Sequence, residues 1–225
     1  MAQEALTSPS NLPGPPATTR LAVLVVIFTV EGNDLKALLI QRSAPPCPSC
    51  WAIPGGLLTQ DETLDRAATR KLREETGVSD VYLEQLYTFH DLDEQSSVAV
   101  TYFALVHHEK AQLARRDVWH PAWFPIDQLP PLAFHNNLVI DYAVHRLRAK
   151  LEYSNVVYSL LPEYFTLSQL QKTYESILGR RLDKRNFRKR VISLGIVSGT
   201  DRLSVEGRHR PARLYTFTKR QPVIL

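Results

Sequence analysis

The 225-residue sequence has only two cysteines, no apolar run of membrane-spanning length and a formal net charge of just +4. Two cysteines exclude a disulfide-stapled scaffold for a chain this long. The longest apolar run, Leu21–Val30 interrupted only by Thr29, is half the roughly 20 residues that cross a bilayer as a helix. Residues 1–19 hold no lysine or arginine and a single acid, with Pro9, Pro13, Pro15 and Pro16 among Ser, Ala and Thr. That stretch lacks both the basic start of a secretory signal and any periodicity, so it reads as a flexible tail on a soluble intracellular protein. What is present is ordinary globular composition, 44% hydrophobic and 22% charged, which excludes wholesale disorder.

The small net charge conceals a division. Residues 1–162 carry 13 Lys+Arg and 18 Asp+Glu, whereas residues 163–225 carry 14 and 5. The first part is therefore net −5 and the second net +9. An asymmetry of this size suggests a basic module joined to a mildly acidic one. A merely solvated basic face is the plainer alternative; a nucleic-acid partner explains the clustering better, because phosphate neutralisation requires grouped cations.

Pattern divides the chain further. Leu21–Val30 reads as a buried strand and Leu35–Gln41 as its partner, after a turn at Gly32-Asn33-Asp34. Leu64, Ala67, Ala68 and Leu72 recur at helical spacing within Thr63–Glu75, with Gly77 as the stop. Val81–Phe89 and Val98–His107 read as strands around a polar, acidic loop; Pro121–Pro131 is proline-punctuated, and a helix is expected over Leu138–Leu151. Thr166 with Gln169 is a capping-box signal ahead of the stripe Leu167, Leu170, Tyr174, Ile177, Leu178, ended by Gly179. Asp183 can cap a second helix with Phe187, Val191 and Leu194 on one face and Lys184, Arg185, Arg188 and Lys189 outside. Ser204–Glu206 and Leu214–Thr218 then read as strands flanking a loop with Arg208, Arg210 and Arg213. Two helices followed by a β-hairpin make a winged helix-turn-helix.

Residues 51–78 read WAIPGGLLTQDETLDRAATRKLREETGV. Gly56, Glu62, Arg70, Leu72, Glu74, Glu75, Gly77 and Val78 fall on the fixed positions of the Nudix signature, so this segment resembles that family. The resemblance implies an α/β/α sandwich and a ligand containing a nucleoside diphosphate linked to another group. Gly55 and Gly56 permit close backbone approach, and a helical row of carboxylates can hold Mg²⁺ against a pyrophosphate. One position departs: Lys71 stands where the signature has glutamate. Positions 71, 74 and 75 share a helix face, so an ammonium stands beside Glu74 and Glu75 and weakens any metal site they form. The expectation is a domain that binds its ligand with hydrolysis mostly or wholly lost. A Lys71–Glu75 surface pair is the alternative, with Asp91, Asp93 or Glu94 supplying the missing carboxylate.

The whole chain, over about residues 20–220, resembles the NrtR family of Nudix-related transcriptional regulators of NAD metabolism. The resemblance is carried by Lys150–Tyr153, LLPEYFTLSQLQ, LDKRNFRKRVISLGIV and RPARLYTF. It implies a dimeric bacterial repressor, in some members an activator, that binds double-stranded operator DNA and senses ADP-ribose or a related nucleotide in the cytoplasm. On this reading residues 1–19 are tail, 20–152 the effector-binding Nudix-like domain and 153–225 the winged helix. The candidate ligand residues are Arg42, Gly55, Gly56, Glu62, Arg70, Glu74 and Glu75, with Glu74 and Glu75 also the candidates for a weak metal site. Arg70 has a second possible role, orienting glutamates by ion pairing. The candidate DNA residues are Lys184, Arg185, Asn186, Arg188 and Lys189, with Arg208, Arg210 and Arg213 from the wing; Asn186 suits adenine. No cofactor is required on this reading. A working ADP-ribose pyrophosphatase with an accessory nucleic-acid-binding domain is the competing function, and an RNA-associated Nudix protein a weaker third. Cys47 and Cys50 form a CxxC without a second pair; zinc would need distant His90, His107 or His108, and nothing suggests a redox role.

Overall fold

The computed structural model describes residues 20–43, 45–79, 81–90, 92, 97–113, 119–204 and 211–224. The expected tail at 1–19, the loop acids Asp91, Asp93 and Glu94, and the wing residues Arg208 and Arg210 lie outside them.

The first half builds one mixed sheet. Strands β1 (Arg20–Glu31) and β2 (Asp34–Arg42) turn at Gly32, whose φ of 66° suits a residue without Cβ. The short strands β3 (Trp51–Ala52) and β4 (Gly55–Leu57) lead to helix α1 (Leu64–Thr76). Strands β5 (Tyr82–His90), β6 (Ser97–Leu105) and β7 (Trp119–Pro125) complete the sheet. Its order is β3-β2-β1-β6-β5, with β1 and β6 parallel, β4 paired to β1 and β7 to β2. Strand β7 is absent from the sequence expectation because Pro121 and Pro125 fall inside it. Its pairing with β2 alone makes it an edge, where proline is tolerated.

Alternation along β1 sorts the core into two layers. Val23, Val25 and Ile27 pack with Leu38, Val100 and Tyr102 against Ala67, Ala68 and Leu72 of α1. Val26 and Phe28, on the opposite face, join Leu39 and Phe103 beneath helix α2 (Asn136–Tyr153), which contributes Val139, Ile140, Ala143 and Leu147. Helix α2 starts two residues earlier than expected. A buried 3-10 turn at Val156–Leu160 follows, tied to the sheet by Ser159 Oγ, which accepts the Tyr82 N–H at 2.9 Å.

The second half is the winged helix. Helix α3 (Leu167–Leu178) opens with the expected capping box: Thr166 accepts the Gln169 N–H, and Gln169 accepts the Thr166 N–H at 2.7 Å. Gly179 closes it at φ 67°. Helix α4 (Lys184–Ser193) is capped by Asp183, which accepts the Asn186 N–H at 2.8 Å. Phe187 and Val191 are buried as expected, but Leu194 is 42% exposed, because α4 ends before it and the chain turns at Gly195. The hairpin strands are β8 (Val197–Leu203) and β9 (Arg213–Phe217). The first therefore precedes the expected Ser204–Glu206: pairing of Val197, Ser198 and Gly199 with Phe217, Thr216 and Tyr215 outweighs the weak strand propensity of Ser198 and Gly199. No helix of the described residues is long and apolar enough to cross a membrane.

The two halves share a core. Leu170, Tyr174 and Ile177 of α3 belong to the same buried cluster as Phe28, Leu35 and Leu39 of the sheet. Arg148 of α2 donates from Nε to the Ile177 carbonyl at 2.8 Å. Asn155 donates to the carbonyls of Lys219 and Gln221 and accepts the Val223 N–H, while Arg220 donates to the carbonyls of Tyr158, Leu161 and Pro162. The C-terminal segment thus straps the junction between the halves.

Candidate nucleotide cleft and nucleic-acid interface

Helix α1 begins where Thr63 accepts the Arg66 N–H and ends at Gly77, φ 68°. Its cations and carboxylates pair among themselves. Arg70 grips Glu62 with two bonds of 2.8 Å, Nε to Oε1 and Nη2 to Oε2, and its Nη1 reaches Glu74 at 3.3 Å. Lys71 Nζ donates to the other Glu74 oxygen at 2.9 Å. The Arg70 fork, aided by the Thr59 hydroxyl, outweighs the opposing effect of desolvation and holds the Glu62 carboxyl down at about 2. Burial pushes Glu74 up, but Lys71 and Arg70 together outweigh it and leave its pKa below the ordinary glutamate value. Arg70 is correspondingly raised by Glu62. The structure thus gives Arg70 the glutamate-orienting geometry.

Glu75 departs from the expected open carboxylate row: it is 1% exposed. The reason is helical phase, since positions 68, 72, 75 and 76 form the buried stripe of α1. With Glu75 turned inward and Glu74 held by two cations, this donor set does not fit a divalent cation. Among the described residues no group of three His, Cys, Asp or Glu side chains stands at metal-binding geometry. Cys47 and Cys50 are joined in a disulfide, so neither thiolate is available for zinc with His90, His107 or His108. Spacing alone does not reveal whether a CxxC closes, so the sequence leaves the role of this pair open.

Of the sequence-predicted ligand residues, Arg42, Gly55 and Gly56 come together, in a cleft of about 270 Å³ between the sheet and the turn leading into α2. Gly55 is required there: a Cβ would lie 2.4 Å from Leu24 Cδ2 and 2.7 Å from the Val23 carbonyl, where β4 pairs with β1. A Cβ on Gly56 would lie 3.3 Å from Lys71 Cε, so Lys71 stands between the cleft and the carboxylates of α1. Glu62, Arg70 and Glu74 line a separate, shallow hollow of about 720 Å³ along the outside of the helix with Asp65, Arg66 and Arg73. The cleft has walls that the sequence did not disclose: Pro46, Leu92, Phe134 and Asn136. Phe134-His135-Asn136 carries no motif, and its polar-aromatic composition before a helix is the only available signal.

On the other half, Lys184, Arg185, Asn186 and Lys189 are exposed on α4, and among the described residues the three cations make no ion pair. Arg188 is half-buried, leaning on α3 through a 3.2 Å bond to Ser168 Oγ. Arg213 is exposed and donates from Nε to the Thr200 carbonyl at 2.9 Å across the hairpin. Helix α4 thus presents a neutral amide and uncompensated cations on one surface, a composition suited to base edges and phosphates.

Comparison with known proteins agrees with both halves. Residues 18–142 match the NUDIX domain and residues 157–217 the NrtR DNA-binding winged helix domain. The chain is 40% identical over 215 residues to a protein of Acinetobacter baylyi called ADPR responsive transcriptional repressor NtrR, covering 92% of this chain and 84% of that one. Shewanella oneidensis NrtR, crystallised with a 27mer DNA, superposes with a TM-score of 0.79 at 36% identity, covering 88% of this chain and 93% of that one. The Nudix domain of the same Shewanella protein, crystallised with ADP ribose, gives a TM-score of 0.52 at 35% identity, over 61% of this chain and 94% of that one. An α/β Nudix domain and a C-terminal winged helix on one chain, matched along nearly its full length, place this protein in the NrtR family.

Proposed function

We propose that the chain is an ADP-ribose-responsive transcriptional repressor of NAD-metabolism genes, acting in the bacterial cytoplasm. Residues 20–152 bind the effector and residues 153–225 bind double-stranded operator DNA. The observation that carries this reading is the continuous core joining the two, in which α3 of the DNA-binding half packs on β1 and β2 of the nucleotide-binding sheet. A change in the sheet therefore has a packed route to the helix pair that holds α4. The names of the Acinetobacter and Shewanella relatives support the same assignment.

The ligand enters the cleft at Arg42, Gly55 and Gly56. Glu62, Arg70 and Glu74 brace the start of α1 through their mutual ion pairs, on the outer side of the helix. Lys71 keeps the domain from destroying its effector, because it holds the carboxylate that a hydrolase would need free for Mg²⁺. No cofactor is required. Lys184, Arg185, Asn186, Arg188 and Lys189, with the wing residues Arg208, Arg210 and Arg213, contact DNA. The functional unit is a homodimer, as helix-turn-helix regulators commonly read paired half-sites as two-fold dimers. The ring cluster of exposed Tyr87 and Tyr142 with half-buried Phe89, on edge strand β5 and the adjoining face of α2, is a surface suited to that contact.

Incubation with ADP-ribose and Mg²⁺, followed for AMP release beside calorimetric binding, tests the reading. Binding with negligible turnover supports it. Robust turnover would instead establish the ADP-ribose pyrophosphatase.

A further inference from the structure

Phe134 and His135 are consecutive non-glycine residues with φ of 56° and 48°, in the left-handed region that side chains ordinarily avoid. Such strain persists only where the surroundings over-determine it. Here Asn136, 1% exposed, accepts the Ile53 N–H at 2.8 Å and donates to the Phe134 carbonyl at 3.1 Å, while the Ala133 N–H donates to the Trp51 carbonyl at 2.9 Å. These bonds hold the Phe134 ring as a wall of the cleft, with Gly55 and Gly56 among the other walls.

Arg42 completes the arrangement. Its guanidinium carbon stands 5.1 Å from the centre of the Phe134 ring. Its Nη2 donates to the Pro45 carbonyl at 3.0 Å, while its Nε is buried with no acceptor among the described residues. A buried charged donor lacking an acceptor is unfavourable unless a ligand supplies one. The cleft therefore offers a flat ring beside a guanidinium with one unsatisfied donor, next to a glycine pair that allows close backbone approach. Its volume of about 270 Å³ lies just below the roughly 300–1,000 Å³ typical of small-molecule sites, which suits part of a nucleotide better than the whole.

We propose that Phe134 is the platform on which the purine base of the nucleotide stacks, and that the Arg42 guanidinium beside it meets an oxygen of the neighbouring diphosphate. The inference deepens the nucleotide-sensing reading and rests on it. Base-on-aromatic stacking is sequence-tolerant, energetically substantial and governed by the ring face. Leucine should therefore fail to replace Phe134, while tyrosine should serve.

The test uses full-length protein, titrated with ADP-ribose by calorimetry and with its 1,N6-etheno analogue by fluorescence. The etheno base should be quenched on binding the wild type. F134L should lower ADP-ribose affinity at least fivefold and lose the quench at saturation. F134Y should stay within threefold of wild type and keep the quench. Circular dichroism and melting of each variant verify the fold. Unchanged affinity or a retained quench in folded F134L overturns the stacking assignment alone. A loss in F134Y equal to that in F134L also overturns it. Absence of ADP-ribose binding by the wild type instead removes the reading on which the assignment rests.

Discussion

Helices α1 and α4 both carry cations in close succession, yet they handle them oppositely. On α1, Arg70 and Lys71 are bound to Glu62 and Glu74. On α4, Lys184, Arg185 and Lys189 face outward, and among the described residues no carboxylate pairs with them. Cations paired at close range on or beside their own helix serve local geometry; cations left facing water keep their charge for a partner. The difference cannot be read from composition, because it depends on which residues fall at i+3, i+4 and beyond. For Arg70 and Lys71 the acid Glu74 falls there, with Glu62 just before the helix, and on α4 the same offsets bring further cations or uncharged residues and no acid.

Substituting the outward cations should have the largest effect. R185A/K189A should weaken duplex DNA binding at least about 30-fold at moderate salt and reduce the log–log salt slope by about two, near one for each phosphate no longer neutralised. ADP-ribose affinity should be unchanged; fluorescence anisotropy and calorimetry on the same preparation report both. Loss of both affinities would break the contrast between the helices.

K71E tests the other side. Replacing an ammonium by a carboxylate beside Glu74 removes a competitor and adds a ligand. At roughly 4 kcal/mol per unit-charge pair at 4 Å and an effective dielectric of 20, discounted for partial exposure, Mg²⁺ affinity should rise on the order of tenfold or more. AMP release from ADP-ribose should increase with it. A K71E protein with unchanged Mg²⁺ affinity would show that the lysine is not what closes the site.

The Glu62–Arg70 pair makes a pH prediction. The Glu62 carboxyl sits at about 2 in the folded chain against an ordinary 4.5. A depressed folded value contributes stability above pH 4.5 that is lost as pH falls from there towards 2. E62Q should therefore melt lower than wild type at pH 7, with the gap narrowing between pH 4.5 and 2 in thermal melts. A constant gap would assign the effect to packing rather than charge.

The smallest expected effect is at the junction. R148A removes one bond between α2 and α3, costing about 0.5–1.5 kcal/mol of stability. It should reduce the influence of ADP-ribose on DNA affinity while leaving each separate affinity within about twofold, as parallel titrations would show. Coupling intact in R148A would leave the α3–sheet packing to carry it alone.

Much of this was legible in the chain because its signals are local. The strand at Leu21–Val30, the Thr63 cap and Gly77 stop of α1, the Thr166–Gln169 capping box and the Asp183 cap each depend on residues a few positions apart. The family resemblance supplied the arrangement that such signals leave open. Features set by distant partners were not legible. Strand β7 exists because β2 offers an edge, despite Pro121 and Pro125. Phe134 reaches the cleft through a bond between Asn136 and Ile53, 83 residues apart. The burial of Glu75 stood within reach, on the Ala68–Leu72 stripe, but the signature invited a reading of carboxylates as one open row.

The central claim is that one core couples a nucleotide cleft to a DNA-reading helix. Its most direct test is the anisotropy-measured affinity for a duplex from the chain's own upstream region, at fixed salt, with and without saturating ADP-ribose. Allosteric coupling typically spans roughly 5–150-fold, and the account predicts a shift within that range that disappears in a competing non-specific duplex. Equal affinity with and without ADP-ribose, for a protein shown to bind both ligands, would contradict it.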